Sequence, residues 1–108
     1  CLDTFPYNGV TTSFEALWAN IPVLVLKGFN FNSRCGESII INSGFDFLLS
    51  NDVDDYISKA VYLSDNINVI EDLRKRIFET IHTTPLFNSK DFSNNFSNTL
   101  INIYQNIN

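Results

Sequence analysis

A short segment near the start of the chain, Asn8-Gly9-Val10-Thr11-Thr12, combines residue types that suit phosphate binding. Gly9 would let a ligand approach the backbone closely, and the two threonines offer hydroxyls at the predicted start of a helix. The first N–H groups of a helix have no intrahelical partner and, with the helix dipole, they attract anions. Glu15, one turn later, could accept hydrogen bonds from ribose hydroxyls. By spacing alone, a plain capping box formed by Thr12 and Glu15 on a surface loop is favoured, and a nucleotide diphosphate site is the alternative.

Three further side chains near this segment could take part. Lys27 and Arg34 bracket the loop after the second predicted strand, and either could reach a phosphate. Arg34 could equally pair with Glu37, and such surface ion pairs often contribute little. Asp3 is expected to orient the preceding loop by accepting backbone N–H groups, as Asp does in Asx-turns.

The elements that position these residues alternate between strand and helix. A strand end over residues 1–4, a buried apolar run at Val23–Leu26 and a strand at Phe45–Leu49 are separated by helices at Thr11–Ala19 and Arg34–Asn42. This order predicts an α/β fold: a partial Rossmann-like parallel sheet of about three strands, followed by C-terminal helices. Ligands bind such sheets at the carboxyl ends of the strands, which is where Gly9–Thr12 would lie.

Helical periodicity predicts which side chains face the core. Gly44 is expected to end the second helix, Asn51 or Asp52 to cap the third, Thr83-Thr84-Pro85 to break the fourth, and the last helix to begin near Ser89. The predicted inward positions are Phe14, Leu17 and Trp18; Val53, Tyr56, Ile57, Ala60 and Val61; Ile70, Leu73, Ile77, Phe78 and Ile81; and Phe92, Phe96, Leu100, Ile103, Tyr104 and Ile107.

Composition narrows the classes of partner. The 108 residues carry 7 basic and 12 acidic side chains, a net charge of −5, which argues against nucleic acid or an anionic membrane as a partner. Two cysteines are too few for a disulfide framework and favour a reducing, cytoplasmic location. No Cys pair at metal spacing, catalytic Ser/His/Asp set or P-loop is present, so no metal or cofactor is expected. The single His82 is expected to cap a helix rather than to bind a ligand.

The segment Cys1–Val23 resembles a motif of the O-GlcNAc transferase/SPINDLY glycosyltransferase family, in which D-T-x-P-x-N-G-x-T-T-x-x-[D/E]-x-L-W precedes an apolar strand. The likeness continues through Gly28, Ser33-Arg34 and Ser38 and returns at Thr84–Asn88. The resemblance implies that residues 1–108 form a single partial domain, the C-terminal part of the nucleotide-sugar-binding half of a GT-B enzyme. The N-terminal half of that enzyme would be its partner.

The same resemblance implies roles for individual residues. Thr11 and Thr12 match family residues that contact the diphosphate of the donor, and Glu15 matches an acidic residue that holds the ribose. Val10 stands where animal O-GlcNAc transferases have a His near the diphosphate. SPINDLY-type members also lack that His and transfer fucose from GDP-fucose. The donor substrate is therefore expected to be UDP-GlcNAc or GDP-fucose, bound without a metal.

These observations lead to one main interpretation and its rivals. The chain is expected to supply diphosphate and ribose contacts to an enzyme that transfers GlcNAc or fucose to a protein hydroxyl, and to be inactive alone because it carries no expected catalytic residue. A degenerate, non-catalytic nucleotide-binding or protein-interaction module is the alternative. An epimerase of Rossmann type is disfavoured because no G-x-G-x-x-G loop occurs. Homodimerisation through an uncovered sheet edge or face stays open.

Overall fold

Three short parallel segments form the sheet of this chain in the computed structural model, which describes residues 1–107. Leu2 forms a single parallel bridge with Leu24. Strand β1 (Val25–Leu26) pairs in parallel with β2 (Leu49–Ser50), in the register Val25 to Leu49 and Leu26 to Ser50. The segments lie in sequence order, so the predicted α/β fold with about three parallel strands is confirmed, although the first segment is only a bridge.

The described residues form five α-helices and four 3₁₀ turns besides this sheet. The 3₁₀ turns lie at Phe31–Ser33, Asp46–Leu48, Ile81–Thr83 and Pro85–Phe87. The helices are α1 (Thr11–Trp18), α2 (Cys35–Ser43), α3 (Val53–Asp65), α4 (Ile67–Thr80) and α5 (Ser89–Ile107). None of the helices in the described part of the chain combines the length and the apolar character that crossing a bilayer requires.

Local chemistry explains where these helices begin and end. Gly44 has φ 79° and terminates α2 in the left-handed conformation, as predicted. The Asp52 carboxylate accepts the N–H of Asp55 at 2.8 Å and caps α3, also as predicted. Pro85 cannot continue a helix, and the chain forms two 3₁₀ turns between α4 and α5.

Side chains of the central apolar run alternate between two clusters. Val23 and Val25 pack with buried residues of α1, α2 and α4, whereas Leu24 and Leu26 pack against Tyr56 of α3. All four residues of the run are buried. The central segment is thus covered on both faces, which explains why its sequence is continuously apolar rather than alternating.

Several positions predicted to be inward are exposed. Trp18 and Phe78 are 59% and 66% exposed. The buried stripe of α3 runs through Tyr56 and Leu63, at a spacing of seven residues, so the flanking Val53, Ile57 and Val61 lie outside it. None of the described residues of α5 is buried, because this helix extends away from the Pro85–Phe87 turn, its main neighbour among the described elements.

The third predicted strand is also shifted. Phe45–Leu49 was expected to be extended, but Asp46–Leu48 forms a 3₁₀ turn and β2 begins only at Leu49. Phe45 and Leu48 are nonetheless buried in the core. This short apolar run has an exposed Asp and an exposed Phe between its buried residues, and a 3₁₀ turn can bury the outer residues as well as a strand can. Periodicity alone does not distinguish a turn from a strand here.

Candidate functional site

Two loops meet at the carboxyl end of the sheet. Residues 3–10 lead from the Leu2 bridge to α1, and residues 27–34 lead from β1 to α2. Asn8 joins them, since its backbone N–H donates to the Asn32 carbonyl at 3.1 Å and its Oδ1 accepts the Gly36 N–H at 3.2 Å. Asn8 is buried, so these bonds are shielded from water and hold the starts of α1 and α2 beside each other.

Asp3 organises the first loop from inside. Its Oδ1 accepts the N–H groups of Gly9 at 2.8 Å and Thr4 at 2.9 Å, so the predicted orienting role is confirmed. The Asp3 backbone carbonyl accepts the Tyr56 hydroxyl at 3.0 Å. Burial raises the pKa of the Asp3 carboxyl, and the bonds from Gly9 and Thr4 counter part of that rise. Its Oδ2 is buried and has no hydrogen-bond partner among the described residues.

The start of α1 differs from the predicted capping box. Val10 occupies the N-cap position, and no side chain caps the helix. The capping-box prediction is wrong because the helix begins at Thr11, which places Thr12 inside the first turn rather than at the cap. The first backbone bond of the helix runs from Phe14 N to Val10 O at 3.0 Å.

This arrangement leaves a set of donors unused. Within the described residues, the backbone N–H groups of Thr11, Thr12 and Ser13 and the hydroxyls of both threonines have no hydrogen-bond partner. Both threonines are exposed. The Ser13 hydroxyl, by contrast, donates to the Gly9 carbonyl at 3.2 Å. The positive end of α1 therefore has three amides and two hydroxyls without a partner among the described residues, with Thr11 and Thr12 exposed and Ser13 buried. A phosphate at this helix start could accept hydrogen bonds from them.

Gly9 allows the loop to lie close to this helix start. A Cβ at Gly9 would lie 2.5 Å from Thr12 Oγ1 and 3.1 Å from Asp3 Oδ1, distances that leave no room for a side chain. Val10, the next residue, is 42% exposed. The predicted residues Gly9, Val10, Thr11 and Thr12 thus lie together at one helix start, on the sheet edge where they were expected.

Glu15 lies one turn further along α1. Its side chain is exposed and makes no hydrogen bond or ion pair with the described residues. A shallow depression beside it is lined by Phe14, Trp18 and Phe87. The Trp18 ring contacts His82 edge-on, with 4.6 Å between ring centroids. His82 therefore packs in an aromatic cluster, and the prediction that it caps a helix is wrong.

Lys27 and Arg34 share one acidic partner. Lys27 Nζ lies 3.0 Å from Glu37 Oε1, and Arg34 Nε lies 2.6 Å from Glu37 Oε2. The Arg34 guanidinium, with a smaller contribution from Lys27, lowers the pKa of the Glu37 carboxyl. The alternative role for Arg34, an ion pair with Glu37, is thus present in the structure, and one carboxylate offsets part of the charge of both basic residues.

Sequence reasoning missed two residues that build this site. Asn8 was interpreted only as part of an Asn-Gly turn signal, although its amide joins both loops. Gly36 was treated as an ordinary position of the second helix, although a Cβ there would lie 2.6 Å from Val25 Cγ1 and 2.8 Å from Asp3 Oδ2. A glycine inside a predicted helix is a signal of close packing, and that signal was available.

Comparison with known proteins places this geometry in a family. Residues 1–96 match the family model described as glycosyl transferase family 41. The chain belongs to glycosyl transferase family 41. Among curated members, it is 32% identical over 91 residues to "Probable UDP-N-acetylglucosamine--peptide N-acetylglucosaminyltransferase SPINDLY" of Eustoma exaltatum subsp. russellianum, a match that covers 84% of this chain. It is 28% identical over 104 residues, 95% of the chain, to the similarly named SEC protein of Arabidopsis thaliana.

A solved structure of a family 41 relative supports the same assignment. A mutant O-GlcNAc transferase of Thermobaculum terrenum superimposes with a TM-score of 0.78 and 31% sequence identity over 97% of this chain and 19% of that one. The chain spans only about a tenth of the length of the curated relatives it matches. The resemblance to the O-GlcNAc transferase/SPINDLY family is confirmed, and the chain corresponds to a small part of such proteins.

Proposed function

We propose that the protein carrying this chain transfers a sugar from a nucleotide diphosphate donor to a hydroxyl of a protein, and that the start of α1 binds the donor diphosphate. The unused donors at this helix start carry the proposal: three backbone N–H groups and the hydroxyls of Thr11 and Thr12. Family 41 membership supports the reaction class, since curated relatives are named as peptide N-acetylglucosaminyltransferases. GlcNAc and fucose are the proposed sugars, donated by UDP-GlcNAc or GDP-fucose.

Each residue of the proposed site has a physical role. The amides and hydroxyls at Thr11 and Thr12 stabilise the negative charge that grows on the leaving diphosphate, as preorganised donors do in other enzymes. Gly9 and Val10 line the approach to the phosphates. Glu15, exposed and unpaired, accepts hydrogen bonds from the ribose hydroxyls. The positive end of α1 offsets part of the phosphate charge. Neither a resident metal nor a cofactor is proposed.

Arg34 is proposed as an auxiliary phosphate contact. Only its Nε bonds Glu37, which leaves the Nη donors of a half-exposed guanidinium available. Lys27 has a weaker claim because its single ammonium is held at 3.0 Å by Glu37. Both cysteines are free thiols, which fits the proposed cytoplasmic location.

One observation favours a second candidate, a non-catalytic nucleotide-binding or interaction module. The helix α5 exposes an apolar stripe that includes Phe92, Phe96 and Leu100, each more than half exposed. Exposed apolar surface of this extent marks sites of association. A second copy of the chain or the N-terminal half of the enzyme is the proposed occupant, and size-exclusion chromatography of the chain distinguishes a dimer from a monomer.

The test is an NMR titration of the 108-residue chain with UDP, GDP, UDP-GlcNAc and GDP-fucose. Shift changes are expected to concentrate on the amides of Gly9–Glu15, and the tighter nucleotide identifies the base. Thr12→Val keeps the shape of the side chain but removes its hydroxyl, so nucleotide affinity should fall by about tenfold, the value of a hydrogen bond to a charged group. Thr99→Val, an exposed helical position in α5, is the matched control.

Two outcomes would contradict this proposal. Unchanged affinity in Thr12→Val would remove Thr12 from the site. Shift changes centred on residues other than Gly9–Glu15 would move the nucleotide elsewhere on the chain.

A further inference from the structure

Two helices begin at the same edge of the sheet, and they differ in the side chains that meet their first turns. At the start of α2, the Gly36 N–H is bonded to Asn8 Oδ1, and Glu37 lies in the first turn with two cations on its carboxylate. At the start of α1, no side chain occupies the equivalent position. The start of α2 thus has internal partners, although the N–H groups of Cys35 and Glu37 are unbonded among the described residues, whereas no side chain of the described residues bonds the first N–H groups of α1.

We propose that Asp3 is the positioning residue of the donor loop: one carboxylate oxygen fixes Gly9 ahead of α1, while the other occupies the positive end of α2. The proposal rests on the proposed function, because it assigns to Asp3 the task of shaping the diphosphate site. Asp3 does not touch the donor in this scheme. It acts through Gly9, whose position sets where the amides of Thr11–Ser13 are directed.

The first half of the argument concerns Oδ1. This single oxygen accepts N–H groups from both ends of a six-residue loop, Thr4 at 2.9 Å and Gly9 at 2.8 Å. The loop is closed further by Asn8 Nδ2, which donates to the Thr4 carbonyl at 2.9 Å. Without Oδ1 the Gly9 N–H would lose its only acceptor and turn toward solvent. The backbone that leads into Thr11 would then lose its fixed direction.

The second half concerns Oδ2. The position of a Cβ on Gly36 would be only 2.8 Å from this oxygen, so Oδ2 packs directly against the first turn of α2. Asp3 is 8% exposed and Oδ2 has no hydrogen-bond partner among the described residues. A negative charge in this place is stabilised by the dipole of α2. Oδ2 therefore places negative charge against the first turn of α2, and no side chain of the described residues does the same at α1.

The experiment compares three variants of the 108-residue chain by nucleotide titration and thermal unfolding, using whichever of UDP or GDP binds the natural sequence more tightly. Asp3→Ala removes both halves of the contact, and the dissociation constant should rise at least about tenfold. Asp3→Asn keeps a carbonyl oxygen for Gly9 and Thr4, so affinity should stay within about threefold. Tyr56→Phe is the control, since it removes the bond to the Asp3 carbonyl but leaves the carboxylate in place.

The outcomes separate positioning from simple stabilisation. Asp3→Ala binding as tightly as the natural sequence would overturn the proposal. So would losses of affinity that follow the melting temperature equally in all three variants. If Asp3→Ala does not fold, a pH titration of the natural chain by NMR provides the test. The amide shifts of Gly9 and Thr4 must change as the Asp3 carboxyl titrates. Amide shifts that stay constant would overturn the positioning role of Asp3. Failure of the natural chain to bind any nucleotide would instead contradict the proposed function. The contact of Asp3 with Gly9 and Thr4 would then be tested by the pH dependence of those amide shifts alone.

Discussion

Asn8 connects three parts of the molecule through one residue. Its side-chain amide donates to the Thr4 carbonyl at 2.9 Å and accepts the Gly36 N–H at 3.2 Å, while its backbone donates to Asn32 at 3.1 Å. A buried amide with each of its groups bonded specifies one arrangement of its neighbours, because an unmade bond in this setting costs free energy. The loop before α1 and the start of α2 are therefore fixed relative to each other.

Gly36→Ala tests how closely these parts are packed. The new methyl group would lie 2.6 Å from Val25 Cγ1 and 2.8 Å from Asp3 Oδ2, so both neighbours must shift. We expect the free energy of unfolding to fall by about 1–3 kcal/mol, the usual cost of overpacking. Urea unfolding followed by circular dichroism measures it.

Ser38→Ala, an exposed change in the same helix, is the control for Gly36→Ala. Since alanine favours helices, a stability equal to that of the control would show that the space around Gly36 is not limiting.

At the scale of single residues, the sequence predicted the location of the proposed site residues better than the contacts that support them. Gly9, Thr11 and Thr12 are predictable because their types and spacing are local signals. The contact between Asp3 and Gly36 joins residues 33 positions apart, and no local rule contains it. The pairing of Glu37 with both Lys27 and Arg34 likewise depends on how the β1–α2 loop folds back, and only its Arg34 part was foreseen.

Among the helices, α1 and α3 contrast in how they begin. The Asp52 side chain caps α3, whereas α1 begins at Val10 with no side-chain cap. A capped start satisfies its own donors and serves stability alone. An uncapped start beside a ligand site keeps those donors for the ligand, at some cost to the stability of the free protein.

Asp52→Ala should therefore lower the free energy of unfolding more than Asp54→Ala does. Loss of the bond to the Asp55 N–H is expected to reduce the free energy of unfolding by about 1 kcal/mol. Asp54→Ala removes the same charge from the first turn without removing a cap, and chemical unfolding of both variants makes the comparison. Equal losses would mean that charge at the helix start, rather than the cap, is what stabilises α3.

The ends of the helices were easier to predict from the sequence than the elements that pack against their apolar faces. Gly44 acts through its own backbone conformation and Asp52 through a side-chain bond to the next turn, so both signals are local. The predicted end of α2 and start of α3 are confirmed. The apolar stripe of α5 was interpreted as a core face, but the face it would pack against is not formed by the described residues. Periodicity identifies an apolar face of a helix without identifying what covers it.

Over the whole molecule, acid sensitivity should depend on Glu37. Its pKa is lowered by Arg34 and Lys27, so its contribution to stability is fully present above its ordinary value of 4.5 and is lost as the pH falls through the lowered pKa. Both cations are partly exposed and would be hydrated if left alone. We therefore expect Glu37→Gln to lose only about 1 kcal/mol at pH 7 and nothing once the carboxyl is protonated.

Thermal unfolding of the natural chain and Glu37→Gln between pH 2 and pH 7 measures this difference. The Asp3 carboxyl has the opposite effect on the pH dependence of stability, because its pKa is raised. The stability linked to its proton is present at low pH and is lost as the pH rises. Because Asp3 is common to both proteins, its effect cancels in the comparison. A constant difference across the pH range would contradict the role given to Glu37.

The Asn8-Gly9 pair also has a consequence for the lifetime of the molecule. In such a dipeptide the glycine nitrogen readily attacks the asparagine side chain, closing a succinimide ring and releasing ammonia. Here the Gly9 N–H is held by Asp3 Oδ1 at 2.8 Å, and the Asn8 carboxamide is tied at one end to Thr4 and at the other to Gly36. The native fold keeps the attacking nitrogen from its target and so slows the chemical ageing of the segment that joins both helices.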